Sequence, residues 1–366
     1  MNYRLVSKLL GLSIGLFTMS MLVAVPFAVW YGEWRELLGF TEAIGTGLVV
    51  AAVFYLFGRE AKGDIYRRET LAIVGLSWII AAGVGALPFL FMGVANYTDA
   101  YFESMSGLTT TGSTILTDIE SLPKSLLLWR SFLHFLGGLG IIVLFVAILP
   151  MMGVAGRSLF KQEVPGPVPE GLTPRIRDTA MTLWKLYIGL NVFQCVMLMF
   201  AGMSFYEAIN HAMATMATGG FSTKNESILA FDSALIEWIL LIFMFLGGTN
   251  FSLHLEAVKG KFLYFKSTEF RVYLAVVLGT AFVTGVLLYM YNVPSVLNPC
   301  DFNVRAAFFV TIAIQTTTGF GTVDFDQWPE AIRIWLVILM FFGACAGSTS
   351  GGMKLMRLVI LVKIAA

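Results

Sequence analysis

Gly107-Leu108-Thr109-Thr110-Thr111-Gly112-Ser113-Thr114 is a polar turn set between apolar segments. It returns twice, as Thr215-Met216-Ala217-Thr218-Gly219-Gly220-Phe221-Ser222-Thr223 and as Gln315-Thr316-Thr317-Thr318-Gly319-Phe320-Gly321-Thr322. Placed in register on Gly112, Gly219 and Gly319, the copies lie roughly a hundred residues apart. Each is followed after 24 to 28 residues by a glycine marker inside an apolar run: Phe135-Leu136-Gly137-Gly138, Phe245-Leu246-Gly247-Gly248 and Phe341-Phe342-Gly343-Ala344. Self-similarity at a fixed period means one structural unit used repeatedly. Glycine tolerates positive φ and close backbone approach, and threonine adds hydroxyls without formal charge, so such a turn can aim successive carbonyl oxygens at a cation in place of its water shell. Short segments near 98–109, 205–217 and 303–316 precede the turns. They are too short to cross a bilayer and read as re-entrant helices whose negative C-terminal ends favour a cation at the turn.

Composition sets the surroundings. The chain has 366 residues, 57% of them hydrophobic and 13% charged, which excludes an ordinary soluble domain and points to an all-α polytopic membrane protein. Apolar stretches run over about 9–31, 38–58, 70–93, 126–152, 180–203, 234–255 and 270–292, each long enough to span as one helix, with a broken stretch over 331–366. The first exceeds the h-region of a signal peptide and reads as a retained helix. Residues 1–68 form an extra helical pair. Three pore repeats follow at 69–176, 177–268 and 269–366, and the exposed connector Glu163-Val164-Pro165-Gly166-Pro167-Val168-Pro169-Glu170-Gly171 closes the first.

Alternating helices from a cytoplasmic N-terminus leave only Arg35, Lys124, Arg130, Lys224, Arg305 and Arg333 of the 24 basic residues outside. That satisfies the positive-inside rule and places all three turns on the external face. Fifteen acidic residues, among them Asp99, Glu103, Asp118, Glu120, Glu207, Asp301, Asp324 and Asp326, fall outside against eight inside. The outer mouth is then net negative and concentrates cations over a screening length of about 8 Å.

Gly343-Ala344-Cys345-Ala346-Gly347-Ser348-Thr349-Ser350-Gly351-Gly352 is too poor in side-chain bulk to continue a helix. Irregular backbone within a membrane must be buried in protein or face water, so the run reads as a mobile constriction beneath the turns. Cys195, Cys300 and Cys345 form no disulfide or metal pattern, and His134, His211 and His254 lie in separate repeats without metal spacing. Gly11-Leu12-Ser13-Ile14-Gly15 matches a nucleophile-elbow pattern only formally, since it lies in an apolar helix.

The three turns together with Gly343–Gly352, Met353 and Lys354 resemble the pore subunits of the Trk-type bacterial potassium uptake systems, TrkH and TrkG, in a superfamily with KtrB and the plant HKT proteins. The initial helical pair favours the TrkH branch. The resemblance implies a pseudo-fourfold arrangement of helix, pore loop and helix. It implies K⁺ bound in a selectivity filter by Thr110, Thr111, Gly112, Ala217, Thr218, Gly219, Thr317, Thr318 and Gly319, above an intramembrane gating loop formed by Gly343, Ala344, Cys345, Ala346, Gly347, Ser348, Thr349, Ser350, Gly351 and Gly352. It implies uptake across the bacterial inner membrane by a homodimer in contact with lipid, regulated by a cytoplasmic nucleotide-binding subunit of the TrkA kind, with no cofactor and no nucleic acid. A fourth repeat expected from the family does not appear before Ala366, so an inactive truncated subunit is one alternative. A K⁺/H⁺ or K⁺/Na⁺ symporter on the same fold is another. An intramembrane enzyme would need a buried nucleophile and base or a metal cluster, and the sequence offers neither.

Overall fold

With no water in a bilayer core, apolar chain must close its backbone hydrogen bonds within itself, and this chain does so as α-helix. The computed structural model describes residues 1–61, 63, 66–138, 140, 175–291, 293 and 299–365. Among them no strand forms, and Phe342 with Met353 is an isolated bridge. Among the described residues five helices are long and apolar enough to cross a membrane, and a bent pair adds a sixth candidate span. The protein is an all-α, polytopic membrane protein. It divides into two compact units, Met1–Met181 and Thr182–Ala366.

In the first unit α1 (Tyr3–Ser20) runs through a 3-10 turn into α2 (Val25–Trp30), and α3 (Trp34–Gly58) returns against it. Their contact is made by small residues: a Cβ on Gly11 would lie 2.5 Å from the Tyr55 nitrogen, and one on Gly47 2.6 Å from Thr18 Oγ1. Without a hydrophobic drive between helices in lipid, such close backbone approach is what binds the pair, and it accounts for Gly11 of the formal nucleophile pattern. Next come α4 (Arg67–Gly85) and α5 (Leu87–Phe91), the short α6 (Tyr97–Leu108) and α7 (Lys124–Gly138). Asn96 caps α6 by accepting from the Asp99 N–H at 3.0 Å. The Glu33 carboxylate takes the first N–H groups of α7, Lys124 at 2.7 Å and Ser125 at 3.0 Å, where the helix dipole favours a negative charge. The remainder of the apolar stretch expected over 126–152, the connector Glu163–Gly171, and Lys62, Arg157 and Lys161 lie outside the described residues.

The second unit holds two further hairpins. One consists of α8 (Arg175–Phe200), which begins just before the unit's boundary, with α9 (Phe205–Met216), α10 (Ala234–Gly247) and α11 (Phe251–Val258). The other consists of α12 (Thr268–Met290), α13 (Pro299–Gln315), α14 (Glu330–Met340) and, after the glycine-rich run, α15 (Leu355–Ala365). Ser204 and Glu207 form a reciprocal capping box on α9. In the last hairpin Leu288, Val310, Trp328, Ile332, Leu336 and Leu339 make one buried cluster. Thr284 Oγ1 receives Trp335 Nε1 at 3.0 Å and the Thr311 hydroxyl at 3.2 Å, so polar side chains also join α12, α13 and α14.

The stretch 234–255, expected as one spanning helix, is two. The axis turns by 101° between α10 and α11, across Gly248-Thr249-Asn250. Asn250 caps the new helix by accepting from the Ser252 N–H at 2.9 Å. The freed carbonyls at the break find donors in the glycine-rich run: Cys345 N–H reaches the Gly248 oxygen at 3.0 Å and Thr349 N–H the Gly247 oxygen at 3.3 Å. A helix can break inside a membrane only where protein supplies such partners.

Candidate selectivity filter and gating loop

Each short helix stops at its turn in the same way. Thr110, Thr218 and Thr317 are left-handed, with φ of 54°, 54° and 58°, and each Oγ1 donates back to the preceding carbonyl at 2.6–2.7 Å. Left-handed backbone is uncommon for a β-branched residue, and three equivalent cases mark a shared device. The next N–H, of Thr111, Gly219 and Thr318, reaches back five residues to Ser106, Ala214 and Ala313 at 2.8–2.9 Å. The third position is a left-handed glycine in every turn: Gly112 at 76°, Gly220 at 79° and Gly319 at 78°.

This register corrects the alignment on Gly219. The equivalent of Gly112 and Gly319 is Gly220, and Gly219 stands where the other turns have Thr111 and Thr318. The signal was present in the residues: Gly220-Phe221-Ser222-Thr223 reads like Gly319-Phe320-Gly321-Thr322. In the corrected register Thr109 and Thr111 share a hydroxyl contact at 2.8 Å, as do Thr316 and Thr318, while the second turn has Ala217 and Gly219 at those places.

Among the described residues no hydrogen-bond donor reaches the carbonyl oxygens of Thr110, Thr111 and Gly112, of Thr218, Gly219 and Gly220, or of Thr317, Thr318 and Gly319. An open run of carbonyls at the same place in all three turns is a feature the repeats share, and oxygens left open in this way are available to a cation. Turns two and three meet directly. A Cβ on Gly220 would overlap the Thr318 carbonyl oxygen, and the Gly321 carbonyl accepts from Ile228 at 3.0 Å and Leu229 at 3.2 Å. The first turn belongs to the other unit and has the same backbone form.

The second glycine marker ends the helix behind its turn. At Gly137 a Cβ would overlap the Leu108 carbonyl, and at Gly247 it would lie 3.1 Å from Thr218 Cγ2. One at Gly248 would lie 2.5 Å from the Tyr273 hydroxyl and 2.9 Å from Thr316 Cγ2. These glycines let a helix terminus press against the turn.

The run Gly343–Gly352 is irregular and packed against turns two and three. Thr349 Oγ1 donates to the Met216 carbonyl at 3.0 Å, with the Gly247 carbonyl at 3.1 Å, and Gly351 N–H donates to Thr317 Oγ1 at 2.7 Å. Glu269 on α12 accepts from Ala346 N–H at 2.6 Å, and Lys354 Nζ donates to the Ser350 carbonyl. Backbone bonds add to these, among them Phe251 N–H to the Gly347 carbonyl at 2.9 Å and Leu355 N–H to the Ala344 carbonyl at 3.2 Å, so the loop is held by hydrogen bonds among side chains of little bulk.

Two of the carboxylates counted toward the outer mouth, Glu103 and Glu237, are buried and paired with arginine. Glu103 is fully buried and receives Arg130 Nε at 2.5 Å, and Arg305 Nε meets Glu237 at 2.8 Å. His211 and His254 are buried with partners, His211 against Ser222 Oγ at 2.9 Å and His254 against the Tyr264 hydroxyl at 2.8 Å. Among the described residues no group of His, Cys, Asp and Glu side chains is arranged to hold a metal.

Comparison with known proteins agrees with this architecture. The sequence model of TrkH, described as a cation transport protein, matches residues 48–365. The Trk system potassium uptake protein TrkH of Escherichia coli K12 is 40% identical over 368 residues, covering 99% of this chain and 75% of that protein. TrkG of the same organism, also a Trk system potassium uptake protein, is 34% identical over 377 residues with the same coverage. The crystal structure of the potassium transporter TrkH from Vibrio parahaemolyticus superposes with a TM-score of 0.83 at 35% identity, over 99% of this chain and 75% of that one.

Proposed function

Because the chain belongs to the TrkH family of cation transport proteins, we propose that it carries K⁺ into the cell through a filter of backbone carbonyls contributed by its threonine-glycine turns. The observation that carries this reading is the set of carbonyls from Thr110 to Gly112, Thr218 to Gly220 and Thr317 to Gly319 that no donor of the described residues reaches. Neutral carbonyl dipoles can replace the hydration shell of an alkali cation without the strong field that a carboxylate ring would present to divalent ions. The C-terminal ends of α6, α9 and α13 add favourable dipole charge at the same places.

Gly343–Gly352 acts as the gate: flux requires the loop to move, which means giving up its bonds to Met216, Gly247 and Thr317. Passive conduction is favoured over proton coupling because Glu103, Glu237, His211 and His254 each have a structural partner. The membrane is the bacterial inner membrane, with the N-terminus and the connector on the cytoplasmic side, as the distribution of Lys and Arg supports. The resemblance to Trk systems further supports a homodimer that binds a cytoplasmic nucleotide-binding subunit.

Cells lacking their own K⁺ uptake systems and expressing the protein test the proposal by growth on limiting K⁺. Expression should restore growth, and Gly319→Leu should abolish it. Restored growth with Gly319→Leu would exclude the third turn from the filter.

A further inference from the structure

The segment leaving each filter turn has to be fixed as firmly as the helix entering it, and the first two repeats do this with different side chains in one geometry. Two residues beyond the left-handed glycines Gly112 and Gly220 stand Thr114 and Ser222. The Thr114 hydroxyl donates to the Glu103 carboxylate at 2.9 Å and 3.0 Å, and its oxygen accepts from the Leu116 N–H at 3.1 Å. The Ser222 oxygen accepts from the Lys224 N–H at 3.1 Å, and the hydroxyl lies 2.9 Å from His211 Nε2. His211 Nδ1 lies 2.8 Å from the Glu207 carbonyl, which can only accept, so Nδ1 carries the proton and Nε2 accepts from Ser222.

Glu103 and His211 occupy the same place, seven residues before the left-handed threonines Thr110 and Thr218. Both are buried within their short helices. The third repeat departs from this: Val310 and Gly321 stand at the equivalent positions, and neither has a side chain able to make the bond. Its outgoing segment is held from the second repeat instead, by Ser227 Oγ accepting from Gly321 N–H at 3.2 Å and by the Gly321 carbonyl accepting from Ile228 and Leu229.

We propose that Glu103 and His211 are equivalent positioning residues for ion selectivity. Each acts as a strut from the short helix to the hydroxyl that ends its turn, fixing the outer edge of the carbonyl run. The inference rests on the carbonyl filter proposed above. A filter discriminates by the number and placement of its oxygens, so releasing one end of a turn alters preference before it alters insertion or abundance.

The test measures K⁺ and Na⁺ uptake in cells lacking their own K⁺ transporters, with the amount of the protein in the membrane determined for each variant. Ser222→Ala and His211→Leu should each lower the ratio of K⁺ to Na⁺ uptake about fivefold or more, the scale of one buried hydrogen bond. The double variant should be no worse than the worse single, because both changes delete the same bond. Ser222→Thr, which keeps the hydroxyl, should hold the ratio near that of the unaltered protein, and Thr114→Val should repeat the loss in the first turn. An unchanged ratio in Ser222→Ala at normal abundance would overturn the proposal, as would losses that multiply in the double variant. Gly220→Ala separates the two levels of the argument. Loss of K⁺ preference there with none in Ser222→Ala sinks the strut alone, and intact K⁺ preference in Gly220→Ala sinks the filter on which it rests.

Discussion

Gly219 and Gly220 are neighbours of one residue type with different work to do. Gly220 sits at a φ of 79° with the Thr318 carbonyl where its Cβ would be, whereas Gly219 stands where the other turns have Thr111 and Thr318 and is not left-handed. Gly220→Ala should therefore abolish K⁺-limited growth, since it combines a left-handed alanine, costing roughly 1 kcal/mol, with a direct overlap. Gly219→Ala should retain at least partial growth, and equal loss in both variants would restore the Gly219 register. The presence of the turns was legible because threonine and glycine in one spacing serve few other purposes. Their register in the second repeat was not, because adjacent glycines leave the alignment open unless Phe221 and Phe320 are paired. The proposed struts were hidden for a related reason: Glu103 and His211 share no chemistry in sequence, and only backbone equivalence puts them at the same place.

Helices show where hydropathy stops being informative. The run from Ala234 to Leu255 stays apolar across Gly248-Thr249-Asn250, so periodicity reads one span, yet the chain turns by 101° there. The available signal was Asn250, a helix N-cap residue within an apolar stretch. By contrast the irregular backbone of Gly343–Gly352 was legible, because ten residues with almost no side-chain volume cannot continue a helix. Two predictions belong to these elements. Gly248→Leu places atoms against Tyr273, Thr316 and Ala344 and should destabilise the second unit by about 1–3 kcal/mol, read as a lower thermal midpoint in detergent. An unchanged midpoint would show that the break has room to spare. Thr349→Val removes the hydroxyl shared by the Met216 and Gly247 carbonyls and should raise basal cation leak into vesicles several-fold, about what one buried hydrogen bond supplies. Leak no higher than that of the unaltered protein would leave the loop as packing and not a gate.

For the molecule as a whole, the short helices, the turns that follow them and the membrane class were readable from composition and spacing, while the partition into Met1–Met181 and Thr182–Ala366 reflects packing between distant segments that no local pattern carries. The orientation proposed from charge can be checked without reference to transport. In a cysteine-free background, a cysteine at Ser121 should react with an impermeant maleimide added outside intact cells, and one at Lys261 only after permeabilisation; the reverse pattern would invert the topology. The central claim, that backbone carbonyls of the threonine-glycine turns select K⁺, is tested most directly by measuring K⁺ and Na⁺ uptake at matched external concentrations for the unaltered protein and for Gly112→Ser, Gly220→Ser and Gly319→Ser. Strong K⁺ preference in the first and its collapse in all three variants is the result expected. K⁺ preference that persists in any of the three, at normal abundance in the membrane, would contradict the claim.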